Sequence, residues 1–400
     1  MIYDFVIAGA GIVGLSTAYK LSLVYPDSKL LILEKENRVA VHQTGHNSGV
    51  IHSGIYYQPG SYKARNCIEG RRQIVEFCRE NDVRHDICGK VIVAENEEEV
   101  PKLISIYKRG LQNGLDELRL IDQKELKEIE PYSSGVRAIL VPYAGIVDFE
   151  HVCRKLADKI TAAGHQIKFS TPVTGVYQTN GTTTIQAAKE GFKTRHFINC
   201  TGLHSDRVAR SAGMKPSIKI VPFRGEYYEL TEEAQDKVKG LIYPLPNPEF
   251  PFLGVHFTRM INGGVECGPN AVFAFKREGY SKTSFDFKDT IETLNFPGFW
   301  KLSKQHWRMG LDEMYRSFSK TGFLKNLQKL VPSIESHHLK KSPSGVRAMA
   351  LQPNGEILDD FYFETTEREI HVLNAPSPAA TAGLAIGDEI VKKARSAFSL

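Results

Sequence analysis

The stretch DFVIAGAGIVGLSTAYKL, residues 4–21, decides the fold. Residues 3–8 read as a buried strand, and Gly9, Gly11 and Gly14 then give the G-x-G-x-x-G spacing where the apolar period changes from two to about 3.6. Gly9 lets the chain turn sharply, Gly11 lets the backbone approach a pyrophosphate, and Gly14 lets helix and strand pack closely. The helix start adds unpaired N–H groups and a partial positive charge, which favour an anion. A second strand, 30–33, ends in Glu34, 20 residues after Gly14, where a carboxylate can accept from ribose hydroxyls. The combination implies a dinucleotide, whereas a lone glycine motif would equally suit a structural turn. It does not decide between FAD and NAD.

Working outward, 400 residues allow one large or two moderate domains with proper cores. The 42% hydrophobic and 24% charged shares are those of an ordinary globular chain. A net charge of +5 does not imply nucleic acid but suits a protein that handles small anions. Cys67, Cys78, Cys88, Cys153, Cys200 and Cys267 are scattered without a C-x-x-C pair, so neither a disulfide framework nor a metal site is expected. With the nucleotide strand beginning at residue 3 no leader is expected unless one has been removed, and no apolar run reaches spanning length. A cytoplasmic location is expected, with peripheral contact at the inner face of the membrane left open.

Residues 43–61, QTGHNSGVIHSGIYYQPGS, form an extended functional loop, followed by a helix over 61–81. A helix over 148–163 is capped by Asp148 and closed by Gly164. In HFINCTGLHSDRVA a second strand meets Thr201 and Gly202 and a new helix start. Residues 217–280 alternate as a sheet, helices occupy 286–330, and the chain ends in a strand and a helix from about residue 380. The expected fold class is α/β with α+β elements. A Rossmann-like cofactor domain (1–82, 146–215, 340–400) carries an inserted mixed or antiparallel sheet domain for substrate (83–145, 216–339). A discontinuous cofactor domain favours a flavoprotein.

With HQTGHNSGVIHSGIYYQPGS, NCTGLHSDRVA, VPFRGEYY, FPFLGVHFTR, CGPNAV, SGVRA and NAPSPAATAGLAIG laid beside the glycine motif, the chain resembles the FAD-dependent oxidoreductases of the D-amino-acid-oxidase type. Within them it is similar to the L-2-hydroxyglutarate oxidases and dehydrogenases, over nearly its whole length. The resemblance implies noncovalent FAD, oxidation of L-2-hydroxyglutarate to 2-oxoglutarate, and re-oxidation by oxygen or a membrane quinone. It puts Thr44, Asn47 and Ser48 beside the flavin and Val173 and Gly202 beside the nucleotide half. Ser377, Ala379, Ala380 and Thr381 fall at the isoalloxazine end, and Lys35 and Thr201 are expected at the cofactor too.

Oxidising a 2-hydroxy acid at a flavin requires a base for the hydroxyl proton. His52 and His256 are the candidates, with His46 a weaker third; each has a plain alternative as a packing histidine. A dicarboxylate must be paired when it leaves water, and arginine's fork does this best, so Arg224, Arg259 and Arg347 are the expected partners. Tyr227 and Tyr228 alternate across a strand, so one of them faces the pocket; Tyr227 is the expected substrate contact. Residues 299–330 mix Phe, Trp and Leu with seven Lys or Arg against Asp312 and Glu313, a pattern suited to an anionic membrane or to helices with a solvated basic face. An amino-acid or amine oxidase, another 2-hydroxy-acid dehydrogenase, and a non-catalytic nucleotide-sensing or tRNA-modification protein are the competing readings.

Overall fold

The computed structural model describes residues 1–179, 181–246 and 254–400. Residues 250–253 of the FPFLGVHFTR motif lie outside the described residues. Among the described residues the strands form three sheets, of eight, nine and three strands.

The first sheet is centred on Ile2–Ala8, which pairs in parallel with Leu30–Leu33 on one side and Glu190–Asn199 on the other. Gln166–Lys168 and Glu369–Asn374 extend it outward, again in parallel. Val6, Ile7, Ala8, Leu31 and Ile32 are all fully buried, as the near-continuous apolar runs of a sheet covered on both faces require. Helices Ile12–Val24, Tyr62–Glu80, Phe149–Ala162 and Ala379–Ala397 cover one face. The hairpin Val173–Thr179 and Thr182–Ala187 covers the other, with Ser205–Ser211. The chain leaves Ile2–Ala8 toward opposite neighbours, and the crevice beyond the strands' C-terminal ends is where such sheets take ligands. Local signals hold: Ser61 Oγ accepts from Ala64 N at 3.1 Å and Asp148 Oδ1 from His151 N at 2.9 Å, each cap contributing about 1 kcal/mol.

In the second sheet, Lys219–Leu230 and Leu339–Leu351 pair antiparallel almost end to end. Val265–Gly268, His256–Arg259 and Leu241–Pro244 follow across the sheet; Lys90–Ala94 then lies parallel to Leu241–Pro244. Strands from 83–145 and from 216–339 meet in this sheet, and Leu339–Leu351 belongs to it as well, so the expected boundary at 340 falls at the start of one of its strands. Alternation reports that a strand has a buried face; it cannot say which sheet takes it. The small third sheet, Val50–Ile51, His85–Asp86 and Gly145–Val147, fixes the 43–61 loop at the seam between the two larger ones.

Candidate active site

The nucleotide cradle is built at the C-terminal ends of the parallel strands. Gly9 turns the chain with φ +101°, and a Cβ there would lie 2.5 Å from the Cys200 carbonyl oxygen. At Gly14 it would come within 2.0 Å of the Gly9 carbonyl oxygen. Ile12 N donates to Thr44 Oγ1 at 3.1 Å, which ties the 43–61 loop to the start of the first helix. Glu34 accepts from Ala10 N at 2.7 Å and from Glu36 N at 2.9 Å, one bond on each oxygen, so lone pairs remain for ribose hydroxyls. Thr171 N donates to the Glu34 carbonyl at 2.8 Å and thereby sets Val173 near the same end. On the neighbouring strand Cys200 N donates to Ala8 O at 2.9 Å; Thr201 Oγ1 donates to Asn199 Oδ1 at 2.6 Å and Gly202 follows with φ +53°. Asn47 folds its own loop, donating to Thr44 O at 2.6 Å and accepting from Gly49 N at 2.9 Å, with Ser48 half-buried between. Ala379 and Ala380 open the C-terminal helix, just after exposed Ser377, and Thr381 Oγ1 donates to Val50 O at 3.2 Å. A carboxylate with spare lone pairs, a helix start and a backbone free of side chains fit an FAD.

Lys35 stands apart from the others: its ammonium is engaged by Glu36, by His42 Nε2 at 2.7 Å and by Glu278 at 2.8 Å. Glu36, His42 and Glu278 cluster closely enough to hold a metal ion, but the lysine ammonium already serves as their cation. Burial would raise the Glu278 carboxyl; His204 and Lys35 outweigh it and hold the group at about 2. His46 joins the same seam: its Nδ1 donates to Ser344 O at 3.0 Å and its ring stacks on Tyr280 at 4.2 Å.

The second sheet contributes the chemistry. His256 is 5% exposed, stacks on Tyr243 at 3.9 Å, and has Nδ1 2.8 Å from the Gly254 carbonyl. A carbonyl only accepts, so Nδ1 carries the proton and Nε2 presents a lone pair. His52 sits in the 43–61 loop, half-buried; its backbone N–H donates to Thr381 Oγ1 at 3.0 Å. Burial first, then the charge of Lys90, push both imidazoles down to about 3, although for His256 the Gly254 bond works the other way. Both are therefore neutral bases at physiological pH.

Arg347 Nη1 donates to the Asn270 carbonyl at 3.4 Å, and the guanidinium is near enough for its charge to act on His256 and on the Tyr227 hydroxyl. Tyr228 packs instead on Phe323 at 4.8 Å, as alternation requires. Arg224 and Arg259 form ion pairs within the protein. Arg224 pairs with Glu226 at 2.9 Å and donates to Ser281 O at 2.9 Å, and Arg259 pairs with Asp86. Flanking glycines and aromatics had singled them out, but a sequence does not reveal a carboxylate arriving from two residues away or from another sheet. The residue that sequence reasoning missed is Lys90. It is 2% exposed, with its ammonium 4.7 Å from the Tyr56 ring centre and 4.6 Å from that of Tyr243. Its signal was a lysine opening the apolar run KVIVA.

Residues 4–393 match the model of the family described as FAD dependent oxidoreductase. The L-2-hydroxyglutarate dehydrogenase of Indibacter alkaliphilus is 50% identical over 400 residues, covering all of both chains. That of Escherichia coli strain K12 is 45% identical over 395 residues, 98% of this chain and 93% of its own. Among solved structures, L-alpha-glycerophosphate oxidase from Mycoplasma pneumoniae with FAD bound superposes with a TM-score of 0.81 at 22% identity, covering 98% of this chain and 94% of that one. Glycine oxidase from Geobacillus kaustophilus follows at 0.73 and 15%, with the same coverage. The chain thus belongs to the FAD-dependent oxidoreductases, and FAD is its cofactor.

Proposed function

We propose that the protein oxidises L-2-hydroxyglutarate to 2-oxoglutarate. The observation that carries this reading is the pair of neutral imidazoles, His52 and His256, with the buried Lys90 ammonium close by: Lys90 Nζ and the His256 ring both lie against Tyr243, at 4.6 Å and 3.9 Å. Bound FAD supplies the acceptor for the hydride leaving the hydroxyl-bearing carbon. One imidazole takes the hydroxyl proton, and His256 has Nε2 already oriented as acceptor by its Nδ1 bond to Gly254. Arg347 is suited to the carboxylate next to the reacting carbon, where a planar fork fixes orientation as well as charge. Tyr227 is near enough to feel the same Arg347 charge and is suited to donate a hydrogen bond to that carboxylate. The sequence relatives named L-2-hydroxyglutarate dehydrogenase support the choice of acid.

Electrons then leave for oxygen or a quinone. An apolar surface favours the quinone: Trp300, Trp307, Leu311, Tyr315 and Phe318 are each more than half exposed, and Lys301, Lys304 and Arg308 stand among them. The expected membrane stretch of 299–330 is thereby shortened, because in helix Lys320–Leu330 the residues Phe323, Leu327 and Leu330 are buried against the second sheet. We place the membrane face on 297–318. No helix among the described residues is long and apolar enough to cross a membrane.

Anaerobic mixing of the holoenzyme with L- and D-2-hydroxyglutarate, while the flavin spectrum is recorded, tests the substrate. Bleaching by the L acid alone is the expected result. Bleaching by glycine, sarcosine or glycerol 3-phosphate, with none by the L acid, would overturn it in favour of another oxidase.

A further inference from the structure

A lysine buried without a carboxylate is costly, since removing an ammonium from water is repaid only by a close opposite charge. Lys90 is 2% exposed, and among the described residues no carboxylate forms an ion pair with it. What surrounds it are two tyrosine rings, His52, His256 and the Cys67 thiol, which burial pushes up to about 12 and so keeps neutral. Ring faces recover part of the lost hydration of an ammonium but do not neutralise it. A leucine or methionine at the edge of Lys90–Ala94 would serve the core better.

We propose that Lys90 binds the carboxylate of the substrate distal to the reacting carbon, and so selects a dicarboxylate over a monocarboxylate. The assignment rests on the substrate reading above. Lys90 Nζ and the His256 ring lie against the same tyrosine ring, Tyr243, at 4.6 Å and 3.9 Å, so the ammonium stands close to a candidate base. The carboxylate adjoining the reacting carbon needs orientation, which a bidentate guanidinium gives; the far one needs only charge, which an ammonium on a flexible stem gives. Burial lowers the Lys90 ammonium to about 7, so an arriving anion would restore its proton.

The test compares wild type with Lys90→Met, which keeps length and loses charge, using L-2-hydroxyglutarate and L-2-hydroxypentanoate, whose far end is a methyl group. Expected for the variant is a fall of about 30-fold or more in kcat/KM for the dicarboxylate, the usual loss on truncating one partner of a buried charge pair. The monocarboxylate should change little, and 2-oxoglutarate titrated into oxidised holoenzyme should bind correspondingly more weakly. Unchanged FAD content and melting temperature guard against misfolding. Equal losses with both acids, or undiminished 2-oxoglutarate binding, overturn the role of Lys90 alone. A wild type not bleached by L-2-hydroxyglutarate overturns the substrate reading, and this assignment with it.

Discussion

The backbone N–H of His52 donates to the Thr381 hydroxyl at 3.0 Å, across 329 positions of sequence. The same hydroxyl donates to the Val50 carbonyl at 3.2 Å, so the first turn of the C-terminal helix is stitched to the loop that carries a candidate base. Thr381→Val keeps the shape and leaves a buried donor and acceptor unmatched, a loss of about 1–3 kcal/mol. We expect a lowered melting temperature and slower flavin reduction with FAD retained, and near-normal behaviour in Thr381→Ser. A Val variant as stable and fast as wild type would mean that the stitch contributes nothing.

Two glycines of the first motif should fail differently. A methyl at Gly14 collides with the Gly9 carbonyl oxygen at 2.0 Å, so Gly14→Ala should disrupt folding. At Gly11 φ is −79° and a Cβ meets only Thr44 Oγ1, at 3.3 Å. Gly11→Ala should fold yet bind FAD at least about tenfold more weakly, because the added methyl occupies the approach of the pyrophosphate. Thermal melts of the apoprotein beside FAD titrations separate the two. A yellow, tightly loaded Gly11→Ala protein would contradict the cradle.

The imidazoles of His52 and His256 are held at about 3, so neither should put an acid limb near pH 6.5 into kcat/KM. The sign for stability is the reverse of a salt-bridged histidine. The unfolded chain takes up these protons first, so stability falls as pH drops from about 6.5 toward 3. Replacing the true base by alanine should slow flavin reduction by roughly 10²-fold or more with FAD bound. Near-normal rates in both His52→Ala and His256→Ala would remove the pair from the reaction.

The cofactor half was legible because its signals are local. Gly9, Gly11 and Gly14 act within one turn of chain, Glu34 ends the next strand, and Ser61 and Asp148 cap the helices that they precede. The cationic cleft was legible only in part. Lys90 meets Tyr56 from the loop and Tyr243 from a strand far along the chain, and no period in the sequence announces that encounter. Arg224 looked available, but Glu226, two residues on along the same strand and so on the same face, takes its guanidinium at 2.9 Å. Strand Leu339–Leu351 was not legible for the same reason: the strand it pairs with, Lys219–Leu230, lies far back along the chain.

Arg277 and Asp206 join the two large sheets' surroundings through a buried ion pair, at 2% and 0% side-chain exposure. Burial alone would raise the Asp206 carboxyl, but Arg277 first and Arg210 next hold it at about 2. A depressed carboxylate stabilises the fold fully above about pH 4 and loses that contribution as pH falls toward 2. Arg277→Met should cost about 3 kcal/mol, the lower end for a broken buried pair, since Arg210 still reaches Asp206 at 3.0 Å. Urea melts at pH 7 and pH 3 provide the check. The gap between wild type and variant should narrow at the lower pH, and an equal gap at both would rule out charge pairing as its source.

The exposed aromatic face offers a last expectation. Trp300, Trp307 and Phe318 are 58%, 54% and 76% exposed, which is more apolar surface than a solvated helix ordinarily leaves in water. Insertion at a lipid interface would bury these rings while Lys301, Lys304 and Arg308 meet anionic headgroups, at about 1 kcal/mol for each charge near the surface. Sedimentation with anionic vesicles at low salt should therefore deplete the protein from the supernatant, with high salt or neutral vesicles restoring much of it. Trp300→Ser combined with Trp307→Ser should weaken binding while leaving flavin reduction by substrate unchanged, because both side chains lie outside the cleft that holds His52 and His256. Equal recovery in the supernatant for anionic vesicles, neutral vesicles and buffer alone would end the membrane reading and leave oxygen as the favoured acceptor.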